Sequence, residues 1–386
     1  MLSLPSGQGV LPSQHLLRAI EAGVIDAGNF KIPTSNVQPA SLDLRLGEVA
    51  YRIRCSFLSA RQTVERKMKD YIIDELDLHK EGAVLETTRP YLIPLKERLA
   101  LPDGMRGKAN PKSSTGRLDV FTRVITDESS HFDAIAPGYE GGLYLEVFPL
   151  SFPIRVREDL SLNQLRLSVG SPELTDDELR AAHRARPVLY SEGEPADEAE
   201  LALANGIFLT LDLRGDTSGR VGYRARDNVP LLDMTRDQPV DPEPYWEPVQ
   251  REDGEWIVLT PQKFYLLMSN EGVSISPEFA AEMTAYDPTH GELRTHYAGF
   301  FDPGFGYDAE GTHRGTRAAL EVRAHEVPFM IEQGQRVCKL TFERMLEVPR
   351  GLYGQSIGSA YQQQQEALGR HFRLPARSPG GRPQPR

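Results

Sequence analysis

Short segments in which apolar and polar residues alternate run along most of the chain, and from Leu92 onward Pro or Gly separates them about every ten residues. A period of two is typical of strands that bury one face, and regularly spaced turn residues are typical of a β-sandwich or barrel. Residues 38–47 are one predicted strand. Helical patterns are short: residues 13–23, with Ser13 as the expected N-cap, and the charged residues 60–78.

Five sequence markers occur twice, in the same order and roughly 170 residues apart. The pairs are Ser-Leu-Asp-Leu-Arg at 41–45 with Thr-Leu-Asp-Leu-Arg at 210–214, Tyr-Arg-Ile-Arg at 51–54 with Tyr-Arg-Ala-Arg at 223–226, Pro-Leu-Lys at 94–96 with Pro-Gln-Lys at 261–263, Ala-Pro-Gly-Tyr at 136–139 with Asp-Pro-Gly-Phe at 302–305, and Leu-Glu-Val at 145–147 and 320–322. A tandem duplication explains the constant order. We therefore predict two copies of one β domain.

Composition suggests where the two copies begin and end. A capping-box pattern starting at Thr175 and an acidic stretch interrupt the strand pattern, and beyond Arg370 the chain is rich in Arg, Pro and Gly, which is typical of a solvated tail. The predicted divisions are a first domain at 1–172, a helical and acidic linker at 173–204, a second domain at 205–350, and a C-terminal arm with a disordered tail at 351–386.

Bulk composition narrows the function classes. The 386 residues are 39% hydrophobic and 26% charged, as in soluble globular proteins, and the net charge of −11 disfavours a general nucleic-acid binder. No apolar run is long enough to span a bilayer, so we expect a cytoplasmic protein that binds neither membrane nor nucleic acid. Cys55 and Cys338 are the only cysteines, and we expect both to be buried free thiols.

Residues 110–117, Asn-Pro-Lys-Ser-Ser-Thr-Gly-Arg, are the densest candidate anion site. The hydroxyls of Ser113 and Ser114 can donate hydrogen bonds, while Lys112 and Arg117 supply positive charge. The spaced glycines of a Walker loop are missing, and a polar surface turn is the alternative reading. The chain has no Cys-x-x-Cys and no His-Glu-x-x-His, so we do not expect protein-bound zinc.

The Ser-Ser-x-x-Arg loop, the Pro-Gly-aromatic turns, the Leu-Glu strands and a Tyr-x-x-Gln tail together resemble the dCTP deaminase branch of the dUTPase superfamily, in its long, internally duplicated bacterial form. The likeness covers nearly the whole chain. It implies a mainly β fold with short helices. The fold would be a tandem duplication of a dUTPase-like distorted β-barrel, which is jelly-roll-like. It also implies zinc-free hydrolytic deamination of dCTP to dUTP and ammonia, which would feed dUMP and dTTP synthesis.

The resemblance assigns roles to individual residues. Glu146 and Glu321 each match the catalytic Glu, and Ser113 and Arg117 match residues that support the reacting water. The implied substrate-binding residues are Lys112, Ser113, Ser114, Thr115, Gly116, Arg117, Asp302, Gly304, Tyr361 and Gln364. Mg²⁺ is expected with the triphosphate, held mainly by phosphate oxygens, and dTTP is a possible inhibitor.

The departures from the family pattern concern both halves. Lys112 replaces an Arg, Ala136 replaces the Asp that the second half keeps as Asp302, Ala360 replaces a Lys, and residues 285–294 contain no Ser-Ser. Because each half has lost something that the other retains, we hypothesise one composite site using Ser113, Ser114 and Arg117 with Asp302 and Glu321, closed by the arm that carries Tyr361. The competing assignment uses Glu146, from the same half as the loop.

Three alternatives remain open at this point. The phosphate loop would also serve a dUTP diphosphatase or a bifunctional deaminase and diphosphatase, and the incomplete halves would suit a non-catalytic nucleotide-binding regulator. Two barrels in each chain favour a homo-oligomer, with a trimer of chains as the expected form. His131, His290, His296 and His325 have no metal-ligand spacing with further ligands.

Overall fold

The computed structural model describes residues 7–285, 293–295, 299–310, 314–324, 326–354, 361, 364 and 366–374. The chain divides into two compact units. The first unit contains Met1–Pro172, Val229–Gln238 and Arg344–Gly351, and the second contains Glu173–Asn228, Pro239–Glu343 and Leu352–Arg386.

Strands dominate both halves of the chain. The first half contains β1 (Gly9–Val10), β2 (Ile25–Asp26), β3 (Leu42–Leu44), β4 (Val49–Ile53), β5 (Ile72–Asp77), β6 (Ala83–Leu85), β7 (Tyr91–Ala100), β8 (Met105–Pro111), β9 (Val120–Ile125), β10 (Ala134–Ile135), β11 (Glu140–Pro149), β12 (Ile154–Val156) and β13 (Asn163–Val169). The second half contains β14 (Leu189–Ser191), β15 (Glu194–Pro195), β16 (Ile207–Thr210), β17 (Arg220–Ala225), β18 (Leu232–Asp233), β19 (Trp246–Gln250), β20 (Trp256–Leu259), β21 (Phe264–Val273), β22 (Phe279–Ala285), β23 (Leu293–Thr295), β24 (Gly299–Phe301), β25 (Thr316–Ala324), β26 (Phe329–Glu332) and β27 (Arg336–Arg344).

Helices are few and short among the described residues. They are α1 (Ser13–Glu21), α2 (Val64–Met68), α3 (Ser113–Gly116) and α4 (Asp176–Ala185), with 3-10 turns at Thr34–Asn36 and Glu198–Glu200. The predicted capping box is present at α4, where the Thr175 and Glu178 side chains each bond the other residue's backbone amide. No described helix has the length and apolar character needed to cross a membrane.

The two units repeat the same sheet topology. In the first unit β3, β13, β8 and β10 form one sheet and β5, β4, β7, β11 and β9 form another. In the second unit the corresponding orders are β16, β27, β22 and β24, and β19, β17, β21, β25 and β23. An antiparallel strand pair also recurs, as β6 with β12 in a three-stranded sheet that includes β18, and as β20 with β26. The prediction of a mainly β, duplicated fold is confirmed.

Strand register shows which residues of the two units are equivalent. Tyr51 lies opposite Leu92, and Tyr223 lies opposite Leu266. The hydroxyl of Tyr91 accepts a hydrogen bond from the amide five residues earlier, and the hydroxyl of Tyr265 does the same. The marker that paired residues 94–96 with 261–263 is therefore wrong, because 94–96 lie within β7 while 261–263 precede β21.

Three local predictions are also corrected. Residues 72–77 form a strand beside β4, because pairing with an existing sheet outweighs the helical preference of a charged segment. The N-cap of α1 is Pro12, and no side chain caps this helix. Cys338 is buried as expected, but Cys55 follows the end of β4 and is exposed.

Each unit buries the apolar face of its strands. Leu42, Leu145 and Leu165 are fully buried in the first unit, and Leu211 and Leu320 are fully buried in the second. The core of the second unit also includes Leu174, Leu179, Leu189 and Leu201, so residues 173–204 contribute to that core. The parallel pairing of β18 with β12 adds a strand from the second half of the sequence to the first unit.

Candidate active site

The predicted phosphate loop forms α3, a single helical turn between β8 and β9. Pro111 ends β8, Lys112 is the N-cap, and its carbonyl accepts hydrogen bonds from the Thr115 amide at 2.8 Å and the Gly116 amide at 3.0 Å. Ser113 is exposed at the start of this turn, whereas Ser114 and Thr115 are buried. Ser113 is therefore the hydroxyl that this turn presents to solvent most openly.

The two cations of the loop are in different environments. The Lys112 ammonium forms an ion pair with the carboxylate of Asp43 on β3. Arg117 is only 2% exposed, and its amide donates to the Ser113 carbonyl at 3.1 Å. An incoming phosphate would therefore compete with Asp43 for Lys112, which the sequence pattern alone did not indicate.

The Asp-Pro-Gly turn follows β24 in the second unit. Asp302 is buried, and its carbonyl accepts a hydrogen bond from the Phe305 amide at 3.1 Å. Gly304 has a φ of +105°, and a Cβ atom there would lie 2.7 Å from the Tyr353 nitrogen. The conformation and the close approach both require glycine, so Gly304 has a structural role whatever it binds. The first unit builds the same turn at Ala136, without a carboxylate.

Glu146 lies in the middle of β11, opposite Leu92 and Arg123. Its Oε2 atom is 2.9 Å from Arg123 Nη2 and accepts a hydrogen bond from Ser56 Oγ at 3.0 Å. The Arg123 guanidinium also lies 3.7 Å from the centre of the Phe132 ring. Glu146 is 2% exposed, so this carboxylate is buried in an ion pair.

Glu321 is the equivalent residue on β25, opposite Leu266, and is 9% exposed. The pairing of Thr295 with Val322 corresponds to that of Thr122 with Val147. In sequence, Thr122 is followed by Arg123 but Thr295 is followed by His296. At the sequence position that corresponds to Arg123, the second unit therefore has a histidine and not an arginine. His290, His296, His325 and Ala360 lie outside the described residues.

The beginning of the C-terminal arm belongs to the second unit. Tyr361 is buried and its hydroxyl accepts a hydrogen bond from the Arg370 amide at 3.3 Å. The Gln364 side-chain amide donates to the Arg317 carbonyl at 2.7 Å. Phe372 is 2% exposed, so folded structure continues past Arg370, in contrast to the predicted tail. Residues 375–386 lie outside the described part of the chain.

One charged cluster of the second unit was missed by the sequence reading. Asp212 accepts from Arg317 Nη2 at 2.7 Å and from Arg214 Nε at 3.0 Å. Burial opposes ionisation of Asp212, but the two guanidiniums outweigh it and hold the pKa of this carboxyl below its usual value. The signal was the repeated Leu-Asp-Leu-Arg marker, whose Asp in the first unit is Asp43, the partner of Lys112.

A second unpredicted cluster contains Glu48, His79 and Glu158, whose ligand atoms lie within 4.8 Å of one another. His79 Nδ1 is 2.8 Å from Glu158 and His79 Nε2 is 3.7 Å from Glu48, so the ring bridges the two carboxylates. Lys96 Nζ also donates to Glu158 at 3.0 Å. An ion-pair network accounts for this cluster without a metal ion.

The predicted site residues are therefore distributed over both units. The first unit contains residues 112–117 and Glu146, and the second contains Asp302, Gly304, Glu321, Tyr361 and Gln364. These features define a class of protein built from a duplicated β domain, in which one copy carries a hydroxyl- and cation-rich loop and both copies carry a carboxylate at the same strand position.

Comparison with known proteins identifies the family. The N-terminal domain of 2'-deoxycytidine 5'-triphosphate deaminase matches residues 7–171, and its C-terminal domain matches residues 175–372. The crystal structure of 2'-deoxycytidine 5'-triphosphate deaminase from Agrobacterium tumefaciens has a TM-score of 0.84 and 44% sequence identity, over 91% of this chain and 99% of that chain. The chain belongs to the dCTP deaminase family.

Relatives of single-domain length match part of the chain. The dCTP deaminase of Haloarcula marismortui is 30% identical over 165 residues, which are 40% of this chain and 78% of that protein. The protein named "dCTP deaminase, dUMP-forming" from Corynebacterium kroppenstedtii is 31% identical over 166 residues, which are 42% of this chain and 82% of that protein. Both names specify a dCTP deaminase, and only the second states a product, dUMP.

Proposed function

We propose that this protein hydrolyses the amino group of dCTP, that dUTP and ammonia are the products, and that Glu321 is the catalytic carboxylate. The observation that carries the assignment is that Glu321 lies in the same unit as Asp302, Tyr361 and Gln364, the residues assigned to the nucleoside. Glu146, at the equivalent strand position of the first unit, is buried in an ion pair with Arg123 and also accepts a hydrogen bond from Ser56. Deamination needs a carboxylate that takes a proton from water and returns it, which an ion-paired Glu146 does poorly.

The proposed chemistry uses a small number of groups. Water attacks C4 of cytosine while Glu321 takes its first proton and delivers it to N3. Glu321 then takes the remaining proton from the C4 hydroxyl and passes it to the amino group, which leaves as ammonia while the C4 carbonyl forms. Ser113 and Arg117 orient the water and stabilise the developing charge. Asp302 holds the deoxyribose, and Tyr361 and Gln364 close over the nucleotide.

The triphosphate is assigned to residues 112–117, with the exposed Ser113 hydroxyl and the Lys112 and Arg117 cations as donors. Mg²⁺ accompanies the triphosphate in this proposal, because the Asp43 carboxylate is already paired with Lys112. No step uses protein-bound zinc. We further propose a homo-oligomer, expected to be a trimer, with dTTP as a competing ligand.

A second candidate is the bifunctional reaction, in which dCTP gives dUMP, ammonia and diphosphate. It is favoured by the names of several relatives, which are called dUMP-forming dCTP deaminases. The same phosphate loop would serve both steps. Measuring ammonia, diphosphate and dUTP together from one dCTP incubation separates the two reactions, because accumulation of dUTP without diphosphate occurs only in the simple deaminase.

The catalytic assignment is tested by Glu321→Gln, with Glu146→Gln as the matched control at the equivalent strand position. We expect Glu321→Gln to lower kcat for ammonia release by at least about 100-fold, the scale of general acid–base catalysis, while dCTP binding is retained. Full activity in Glu321→Gln would disprove the assignment. Tight binding of dCTP or dTTP by the wild-type protein with no ammonia release would instead indicate the non-catalytic regulator.

A further inference from the structure

The C-terminal arm is attached to β17 by a charged hydrogen-bond cluster. Glu366 Oε1 accepts from Arg220 Nη2 at 2.8 Å, and Glu366 Oε2 accepts from the Tyr223 hydroxyl at 3.1 Å. Arg220 Nη1 donates to the Tyr223 hydroxyl at 2.6 Å, so the three side chains form a closed triangle. Both oxygens of the Glu366 carboxylate are thus used by one strand.

The receptor side of this cluster is pre-organised by the second unit itself. Arg220 Nη2 lies 3.0 Å from the Asp216 carboxylate, which orients the guanidinium before the arm contributes Glu366. Tyr223 is 6% exposed, and burial together with the nearby Glu366 raises the pKa of its hydroxyl, so the hydroxyl remains a proton donor. Charge-assisted hydrogen bonds between partly buried groups are the strong ones.

Apolar contacts continue the attachment beyond Glu366. Ala367, Leu368 and Phe372 are each 2% exposed. The Phe372 ring lies edge-on to Trp246, with ring centres 5.9 Å apart, and its centre is 5.4 Å from that of Tyr245. Two backbone hydrogen bonds, from the amide of residue 240 and from that of residue 373, fix the chain on either side of Phe372.

The attachment lies directly next to the residues assigned to the nucleotide. Gln364 precedes Glu366 by two residues, a distance of at most about 7 Å along the chain, and Tyr361 precedes it by five. The Gln364 side chain itself bonds the Arg317 carbonyl. Fixing Glu366 on β17 therefore restricts where Gln364 and Tyr361 can be placed.

The cluster is specific to the unit that has an arm. Tyr51 is the counterpart of Tyr223 in the first unit, as shown by their pairing with Leu92 and Leu266. Three residues before Tyr51 the sequence has Glu48, whereas three residues before Tyr223 it has Arg220. The tyrosine was present in both copies, and the arginine that receives Glu366 occurs only in the second.

We propose that Arg220, Tyr223 and Glu366 form an anchor that positions Tyr361 and Gln364 for nucleotide binding, and that the anchor acts through these two residues without touching the substrate. The inference rests on the proposed function, because it assumes that the arm covers dCTP. It assigns to Glu366 an effect on KM and not on the chemical step.

The test compares Glu366→Gln and Glu366→Ala with the control Glu247→Gln. Glu247 lies on β19 and forms an ion pair with Arg224 of β17, the strand that receives Glu366. The Glu247 and Glu366 side chains are similarly exposed, but the ion pair of Glu247 does not involve the arm. Measured quantities are KM and kcat for ammonia release, equilibrium dCTP binding, and backbone hydrogen exchange of residues 366–374. We expect KM to rise about tenfold in Glu366→Ala and less in Glu366→Gln, while kcat stays within about threefold of wild type. We also expect faster backbone hydrogen exchange of residues 366–374.

The readouts separate the possible failures. If Glu366→Ala binds dCTP and exchanges its arm like the wild type and Glu247→Gln, the anchor is disproved. If Glu366→Ala lowers kcat while leaving KM unchanged, the positioning role is also wrong. If the wild-type protein releases no ammonia, the proposed function fails, and the exchange of residues 366–374 still decides whether Glu366 holds the arm.

Discussion

The ion pair between Glu146 and Arg123 gives a prediction that separates a structural carboxylate from a catalytic one. The carboxylate is 3% exposed and uses one oxygen for both Arg123 and Ser56, whereas the Arg123 side chain is 24% exposed. Glu146→Gln keeps the side-chain volume and an acceptor oxygen but removes the charge. Arg123→Met keeps the chain length but leaves a buried carboxylate with only the Ser56 hydroxyl.

The two substitutions should therefore differ in cost. Glu146→Gln replaces the carboxylate with a neutral amide oxygen, to which Arg123 and Ser56 can still donate, a loss of about 1 kcal/mol. Arg123→Met leaves a buried charge uncompensated, which costs 3–5 kcal/mol in general, and the partial exposure of Arg123 favours a value of about 3 kcal/mol. For a unit of this size, about 2–4 °C of Tm corresponds to each kcal/mol, so we expect decreases of roughly 2–4 °C and 6–12 °C. The double variant should lose less than the sum, because the two residues are in contact.

Thermal unfolding can be assigned to one unit because both tryptophans, Trp246 and Trp256, lie in the second. Far-ultraviolet circular dichroism should show the lowered transition, while tryptophan fluorescence should keep its wild-type midpoint if the units unfold separately. Turnover of dCTP by Glu146→Gln at 25 °C should stay within about twofold of wild type. A 100-fold loss of kcat with an unchanged Tm would refute this reasoning and identify Glu146 as the proton relay.

Three further predictions test individual environments. Ellman's reagent should modify one thiol in the native chain and two after denaturation, because Cys55 is exposed whereas burial raises the pKa of the Cys338 thiol. The hydrogen bond with Glu158 raises the pKa of His79 above its ordinary 6.5. The stabilisation from this contact is therefore complete below pH 6.5 and is lost as pH rises through the raised pKa. An NMR titration of His79 should show the raised pKa, and Glu158→Gln should lower it. Gly304→Ala should cost roughly 1–3 kcal/mol, measured as a lower Tm, because of its positive φ and the backbone nitrogen 2.7 Å from the new Cβ; an unchanged Tm would contradict the assigned strain.

The fold could be predicted largely because its signals are local or repeated. Alternation in residues 38–47 predicted a half-buried strand, although the strand itself is shorter, Leu42–Leu44, and is buried on both faces. The paired Leu-Glu-Val markers identified equivalent strands, β11 and β25, and the strand register places Glu146 and Glu321 at the same position. Duplication could be inferred without any structure because order and spacing are properties of the sequence.

The parts that could not be predicted depend on contacts between distant residues. Ser56 is 90 residues from Glu146, and nothing near either residue indicates the hydrogen bond between them. The exposure of Cys55 depends on where β4 ends, and the strand at 72–77 depends on an available partner strand. Asp43 had a visible motif, but its ion pair with Lys112 required the three-dimensional arrangement of β3 and the phosphate loop.

The two units preserved some buried polar groups and changed others, and the difference indicates which groups serve the fold. Glu97 accepts from the Arg45 amide at 2.7 Å, and Glu271 accepts from the Thr210 amide at 2.9 Å. A buried carboxylate that satisfies a backbone amide is costly to lose, which is a sufficient reason for its presence in both copies.

The groups assigned to the nucleotide follow the opposite pattern. The hydroxyl-rich loop occurs in the first copy, while Asp302 and the arm with its Glu366 attachment occur in the second. The sequence around the duplicated carboxylate has diverged, because Arg123, which pairs with Glu146, corresponds to a histidine in the second copy. A duplication in which one copy keeps the hydroxyl-rich loop and the other keeps Asp302 and the arm is what one site per chain would produce. Selection on a single site would maintain each of these groups in only one copy.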